Sequence, residues 1–167
     1  MNPEKILRGK RILIVDDEKD VLDQLVELLD ISKIDTASSF NEAQDLLERG
    51  TYDIAVLDIM GVRGYDLLEM ADKKGIPSIM FTAHALSKED LKQSAQKGAS
   101  YYVPKDEMGD IAVFIADVLE AKENRKNVWV KCLERLGGVY DKQFGGPNWR
   151  EQEQEFWGKK LKERSGL

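Results

Sequence analysis

Short apolar runs alternate with longer segments of helical periodicity along most of the chain. Several runs are apolar at consecutive positions, which is typical of strands buried on both faces. Between them, apolar residues recur at intervals of three and four, as on one face of an amphipathic helix. The clearest such stripe consists of Val21, Leu22, Leu25, Leu28 and Leu29. The pattern predicts five strands, at Arg11–Val15, Ile34–Ala37, Tyr52–Leu57, Ser78–Thr82 and Ala99–Val103.

The starts of three predicted helices can also be located. The pairs Ser39–Glu42 and Ser87–Asp90 have the spacing of a capping box, in which a serine side chain accepts a hydrogen bond from a free backbone amide. A fifth helix is predicted to start near Asp106 and presents a further apolar stripe. A regular succession of strand and helix implies a parallel sheet with helices on both faces. The predicted fold class is therefore α/β.

A different kind of sequence follows the polar stretch Ala121–Asn127. We place a boundary there, which divides the chain into a domain of residues 1–121 and a helical, aromatic-rich C-terminal extension of residues 122–167. The segment Gly145-Gly146-Pro147 is predicted to separate two helices, at about Asn127–Leu136 and Trp149–Lys162.

The extension carries six aromatic residues in a segment too short to bury them by itself. They are expected to pack either on the preceding domain or on a second protein. These residues are Trp129, Tyr140, Phe144, Trp149, Phe156 and Trp157.

Composition and charge narrow the class of protein. Hydrophobic residues make up 42% and charged residues 34%, as in ordinary soluble globular domains. No apolar run is long enough to cross a bilayer, and the N-terminus has no stretch of signal-peptide length. The single cysteine, Cys132, cannot form an internal disulfide. We therefore expect a cytoplasmic protein without a membrane role.

The charge is unevenly distributed. Residues 1–120 carry a net charge of −10 and residues 121–167 one of +4. An acidic domain repels nucleic acid, and the basic residues of the extension are interleaved with acids, so DNA binding is not expected. The opposite charges favour docking of the extension on the domain, within one chain or across a dimer.

Polar side chains follow the predicted strands at the ends where ligands bind in open α/β sheets. The pair Asp16-Asp17 follows the first strand, and Asp58 ends the third. Thr82 ends the fourth strand and Lys105 follows the fifth. Since the carboxyl ends of parallel strands meet at one edge of the sheet, we expect these side chains to lie close together.

This set of groups suits phosphoryl transfer. Carboxylates packed together repel and raise one another's pKa unless a cation intervenes. Mg²⁺ prefers a few carboxylate oxygens together with waters and phosphate oxygens. An ammonium and a hydroxyl supply donors for a phosphoryl oxygen, and a carboxylate can act as the nucleophile.

Four motifs in this order resemble the receiver domains of two-component response regulators over about Arg11–Ala121. They are Val15-Asp16-Asp17-Glu18, Leu57-Asp58-Ile59-Met60, Phe81-Thr82-Ala83 and Tyr102-Val103-Pro104-Lys105. The resemblance implies a flavodoxin-like, doubly wound, five-stranded parallel sheet of order 2-1-3-4-5. It implies a phosphoryl-accepting signalling switch rather than an enzyme, one that catalyses only its own phosphoryl transfer and autodephosphorylation.

The resemblance also assigns roles at the site. Asp58 would accept phosphate from a sensor histidine kinase or a phosphotransfer protein. Asp16 and Asp17 would hold Mg²⁺ together with Asp58 and the backbone carbonyl of Met60. Lys105 would pair with the phosphoryl group.

Further roles concern the switch itself. Thr82 would hydrogen-bond to the phosphoryl group, and the ring of Tyr102 would move inward with Thr82. Met60 and His84 stand two residues after Asp58 and Thr82, where they flank the phosphoryl group and tune its lifetime. The fourth helix, fifth strand and fifth helix form the face that usually changes on phosphorylation. We expect the extension to lie next to this face as an output or dimerisation element, with a downstream protein or a second copy as partner.

Two departures from the family pattern leave alternatives open. Pro104 precedes Lys105, whereas the family usually has proline after the lysine, and no proline follows shortly after Asp58. A degenerate receiver that acts as a phosphorylation-independent protein-interaction module is the main alternative. An aspartate-nucleophile phosphatase would want a second acid two residues after the nucleophile, where this chain has Met60.

Overall fold

The computed structural model describes residues 1–83 and 87–163, and within them five strands form one sheet. All neighbouring strands pair in parallel, in the order β2-β1-β3-β4-β5. The predicted fold class and strand order are confirmed. The strands are β1 (Arg11–Val15), β2 (Lys33–Ala37), β3 (Ile54–Asp58), β4 (Ser78–Thr82) and β5 (Tyr101–Pro104).

Helices connect and cover these strands. The first six are α1 (Pro3–Leu7), α2 (Lys19–Leu28), α3 (Phe40–Arg49), α4 (Gly64–Lys73), α5 (Lys88–Gln96) and α6 (Ile111–Asn124), and a 3-10 helix (Lys105–Asp110) precedes α6. Because the helices shield both faces of the sheet, β3 and β4 are buried at every position. In the described residues, no helix combines the length and apolar character needed to span a membrane.

The helix starts follow the predicted capping chemistry. Ser39 Oγ accepts a hydrogen bond from the Glu42 amide at 3.3 Å, and Ser87 Oγ accepts one from the Asp90 amide at 2.9 Å. The first helix, α1, was not predicted, because five residues are too few to display a helical period. The predicted fourth and fifth helices are therefore α5 and α6.

The extension contains α7 (Val128–Gln143), α8 (Trp149–Gln152) and α9 (Gln154–Lys160). The predicted end of its first helix at Leu136 is wrong, since α7 continues through Gly137 and Gly138. A Cβ at Gly137 would lie 2.7 Å from the Arg150 guanidinium, so close packing of the extension on itself offsets the usual cost of glycine in a helix.

The second predicted helix of the extension, Trp149–Lys162, is also wrong as a single element. It is divided at Glu153, which has non-helical dihedral angles. The Glu153 carboxylate lies 2.7 Å from the Lys92 ammonium on α5. A tertiary contact that sequence periodicity does not reveal therefore lies at the break.

The extension docks on the domain of its own chain. Helix α7 lies against α6 and β5. Its Arg135 forms an ion pair with the buried carboxylate of Asp117 on α6, which also accepts a 2.8 Å hydrogen bond from the Tyr101 hydroxyl on β5. Trp129 Nε1 donates to the Ala99 carbonyl at 3.1 Å.

The aromatic residues of the extension form one cluster within this docked arrangement. The Trp157 ring lies 5.7 Å from the Trp129 ring and 5.7 Å from the Trp149 ring, in edge-to-face contacts. Tyr140 and the three tryptophans are buried, whereas Phe144 and Phe156 are half-buried. Of the two predicted surfaces for these rings, the structure shows the first, the domain of the same chain.

Candidate functional site

The carboxyl ends of β1 and β3 place two buried acids side by side. Val15 pairs with Leu57 in the parallel register, so the next residues, Asp16 and Asp58, are neighbours across the two central strands. Both carboxyl groups are almost completely shielded from solvent. The sheet topology therefore brings together the acids that the sequence analysis selected.

Lys105 joins this pair from the start of the 3-10 helix. Its Nζ lies 2.8 Å from Asp16 Oδ2 and 3.5 Å from Asp58 Oδ1. A third contact runs to Glu18 Oε1 at 3.3 Å. Pro104 ends β5 directly before the lysine, and Lys105 nevertheless reaches both buried carboxylates.

A second group of acids borders the same edge. Asp16, Asp17 and Glu18 each offer one carboxylate oxygen, and these atoms lie within 4.8 Å of one another. The Glu18 amide donates to Asp16 Oδ1 at 2.9 Å and fixes this carboxylate. The remaining oxygen, Asp16 Oδ2, is buried and has only the ionic contact with Lys105, without a well-directed hydrogen bond among the described residues. Such a hard, oxygen-only donor set fits Mg²⁺.

The two buried acids have raised pKa values, mainly because burial disfavours the charged carboxylate. Burial, followed by repulsion from Asp16, raises the pKa of Asp58 to about 7, although Lys105 opposes the shift. Burial also raises the pKa of Asp16. Burial alone would lower the pKa of Lys105, but its contacts with Asp16 and Asp58 raise it. The site thus carries buried negative charge that one ammonium does not fully balance.

The remaining predicted site residues lie around this centre. Thr82 is buried at the end of β4, next to Phe81, the register partner of Asp58. Tyr102 is completely buried on β5, whereas Met60 is 61% exposed. The predicted role of His84 concerns a residue outside the described part of the chain.

Sequence reasoning did not assign a role to Gly61 or Glu18. Gly61 has a positive φ of 83°, and a Cβ there would lie only 2.2 Å from Asp17 Oδ2. The loop after β3 therefore passes directly against an acid that follows β1. The only signal for this in the sequence is a glycine three residues after Asp58, and glycine is common in turns of every kind.

Gly61→Ala is expected to weaken Mg²⁺ binding by about 10- to 100-fold, because the new methyl group displaces the Asp17 carboxylate. Calorimetric titration with Mg²⁺ measures the change. Gly75→Ala is the matched control, since Gly75 also has a positive φ, of 72°, but its added Cβ would contact nothing within 4 Å. If both variants lose Mg²⁺ affinity equally, the effect comes from backbone strain and not from displacement of the Asp17 carboxylate.

The raised pKa of Asp58 has a consequence for stability in metal-free buffer. The folded state holds a proton on this carboxyl between its usual value of 3.8 and about 7, while the unfolded chain releases it. That contribution to stability is lost as the pH rises through about 7. Relative to Asp58→Asn, which lacks the titration, the free energy of unfolding should fall by about 1–3 kcal/mol over this window.

Urea denaturation of both proteins in a chelating buffer, repeated with Mg²⁺, measures this difference. Mg²⁺ should reduce it, because the cation stabilises the ionised carboxylates. Parallel pH profiles of the two proteins in the chelating buffer would contradict the assignment of buried, mutually repelling acids.

Comparison with known proteins agrees with this geometry. The sequence profile of the family described as the response regulator receiver domain matches residues 12–115. A CheY-like response regulator receiver domain protein from Methanospirillum hungatei JF-1 has a similar crystal structure, with 30% identity, a TM-score of 0.56, and coverage of 64% of this chain and 94% of that one.

Two further structures extend the comparison. The signal receiver domain of a DNA binding response regulator protein from Colwellia psychrerythraea 34H is 27% identical, with a TM-score of 0.52 and coverage of 59% of this chain and 87% of that one. The response regulator DrrB, a Thermotoga maritima OmpR/PhoB homologue, has a TM-score of 0.60 at 23% identity, which shows the fold alone. This alignment covers 67% of this chain and 53% of DrrB.

Among curated proteins, none is significantly similar in sequence to this chain. The profile match ends at residue 115, so the C-terminal extension lies outside it. The match nevertheless spans more than half of the chain, in the region that forms the five-stranded sheet and its acidic edge. The chain therefore belongs to the response regulator receiver domain family.

Proposed function

We propose that this protein is a two-component response regulator whose Asp58 accepts a phosphoryl group with the help of Mg²⁺. The observation that carries the proposal is the buried Asp58 carboxyl, which shares the Lys105 ammonium with the neighbouring buried acid of Asp16. Receiver domains are signalling switches that interact with histidine kinases or phosphotransfer proteins and typically hold Mg²⁺ in an acidic pocket. The site residues of this chain are consistent with both properties.

The proposed step is a transfer between a phosphohistidine and Asp58. A carboxylate oxygen of Asp58 attacks phosphorus, the new O–P bond forms, and the P–N bond to the imidazole breaks. The imidazole leaves with the bonding electron pair and takes up a proton from solvent. Hydrolysis later returns inorganic phosphate and the free carboxylate.

Each neighbouring side chain has a part in this step. Asp58 must be ionised to attack, and the Lys105 ammonium favours its ionised form. Lys105 and Thr82 would donate to oxygens of the transferred group. Asp16 and Asp17, with the backbone carbonyl of Met60, would hold Mg²⁺, which neutralises charge on the phosphoryl oxygens.

Intact-mass spectrometry after incubation with acetyl phosphate tests this proposal. With Mg²⁺ the protein should gain the mass of one phosphoryl group, and without a divalent cation it should gain almost none. Asp17→Asn should require a higher Mg²⁺ concentration, because it removes a charged ligand. A failure to gain phosphate at any Mg²⁺ concentration would instead favour the degenerate receiver, a phosphorylation-independent interaction module.

A further inference from the structure

The C-terminal extension is attached to β5 just before the residue that contacts the acids. Tyr140 is completely buried, and its hydroxyl donates to the backbone carbonyl of Tyr102. Lys105 follows Tyr102 by three residues and begins the 3-10 helix. Helix α7 thus fixes the end of the strand from which the Lys105 ammonium reaches Asp16 and Asp58.

The extension also holds α5, the helix that follows Thr82 along the chain. Glu153 forms an ion pair with Lys92 at 2.7 Å, and Gln152 accepts a hydrogen bond from Lys88 at 2.9 Å. The Lys92 ammonium lies 5.6 Å from the centre of the Phe156 ring. Helix α5 packs against β5, the neighbour of β4 in the sheet, so holding α5 also supports the side of the sheet where Thr82 ends β4.

Tyr102 lies at the attachment of the extension to β5. Its backbone carbonyl accepts the hydrogen bond from Tyr140, and its ring lies 6.2 Å from the Tyr140 ring. Tyr102 is completely buried, on a strand that also packs against α5. Strand β5 therefore connects the extension with α5.

We propose that the C-terminal extension is a positioning element of the phosphorylation site, which supports Lys105 through β5 and Thr82 through α5. This inference rests on the proposed function of Asp58. A preorganised arrangement of donors accelerates transfer, so loosening the extension slows phosphorylation of Asp58. The same support holds Lys105 and Thr82 against the bound phosphoryl group, so the docked extension also stabilises the phosphorylated state at equilibrium. By linkage, phosphorylation then tightens docking of the extension.

The Lys92–Glu153 pair allows a sharp test in the full chain, because the C-cap of α5, Lys97, forms a matched pair that does not involve the extension. Lys97 contacts Glu69 on α4, also at 2.7 Å, and the side-chain exposures are 32% and 49%, against 29% and 44% for Lys92 and Glu153. Glu153→Lys and Glu69→Lys therefore make equal charge changes on similar exposed pairs, and only the first loosens the extension.

Phosphorylation by acetyl phosphate with Mg²⁺ is measured for the wild type, both single variants and Lys92→Glu/Glu153→Lys. Glu153→Lys should be slower than wild type by about two- to fivefold, in line with the strength of exposed ion pairs. The double charge reversal should restore the rate, and Glu69→Lys should leave it unchanged. A Glu153→Lys rate equal to or above that of Glu69→Lys would overturn the proposal.

Hydrogen–deuterium exchange tests the positioning role of the extension independently of phosphoryl transfer. In the unphosphorylated protein, Glu153→Lys should raise exchange in α5 and in residues 101–110 relative to Glu69→Lys. Equal exchange in the two variants would overturn the positioning role even if Asp58 is phosphorylated. If the wild type takes no phosphate while exchange differs as expected, the proposed function fails but the physical coupling stands.

The effect of phosphorylation on docking of the extension distinguishes a positioning role from a purely structural one. Phosphorylated wild type should show slower exchange in α8 and α9 than the unphosphorylated protein, and phosphorylated Glu69→Lys should show the same change. If exchange in α8 and α9 is the same with and without phosphorylation of Asp58, the proposed coupling between the extension and the site is contradicted.

Discussion

Replacing Lys105 with methionine is expected to slow phosphorylation of Asp58 by about 10²- to 10³-fold, the usual cost of removing one donor from a transferring group. The ammonium lies 2.8 Å from Asp16 Oδ2 and 3.5 Å from Asp58 Oδ1. Its loss leaves two buried carboxylates without their shared cation, which raises the pKa of Asp58 further and reduces its ionised, nucleophilic fraction.

The rate of phosphoryl incorporation from acetyl phosphate at saturating Mg²⁺ measures this effect. Lys105→Arg keeps the charge but replaces a compact ammonium with a planar guanidinium, so an intermediate rate is expected. Lys97→Met is the control, since it removes a lysine from the surface pair with Glu69. A Lys105→Met variant that is phosphorylated at the rate of Lys97→Met would contradict the role of Lys105.

Replacing Trp129 with alanine is expected to lower the free energy of unfolding by about 3–5 kcal/mol, the usual cost for a buried tryptophan. The ring is buried against Trp157, and its Nε1 hydrogen bond satisfies the Ala99 carbonyl at 3.1 Å. Alanine would leave both a cavity and an unpaired carbonyl between the extension and the start of β5.

Urea denaturation followed by circular dichroism measures the loss. The neighbouring Val130→Ala is the control, because Val130 is 42% exposed and its truncation should cost little. Truncation after Lys122 should be at least as destabilising as Trp129→Ala, since it also leaves Asp117 without Arg135. Unchanged stability and oligomeric state after truncation, with water-exposed tryptophan fluorescence in the full chain, would contradict the docked extension.

Much of the fold could be predicted from the sequence because apolar residues recur with a clear strand or helix period. Uninterrupted apolar runs identified the central strands, and serine–acid pairs located two helix starts that the structure confirms. Helix α1 escaped detection because it is too short to show a period. The continuation of α7 through Gly137 and the break at Glu153 involve tertiary contacts with Arg150 and Lys92, which local periodicity does not reveal.

At the site, too, the sequence predicted the residues at strand ends but not the contacts between distant loops. Strand ends predicted that Asp16, Asp58 and Lys105 meet, and the structure places them within contact distance. The close approach of Gly61 to Asp17 is a property of two loops in space and has no distinctive local pattern. The attachment of the extension to β5 through Tyr140 is likewise visible only once the chain is folded.

The most direct test of the central claim is to locate the phosphoryl group on the chain. After incubation with acetyl phosphate and Mg²⁺, borohydride reduction converts an aspartyl phosphate to homoserine, which peptide sequencing by mass spectrometry identifies. The account predicts homoserine at position 58 in the wild type and no phosphoryl incorporation in Asp58→Asn. Homoserine at position 16 or 17, or undiminished incorporation in Asp58→Asn, would contradict it.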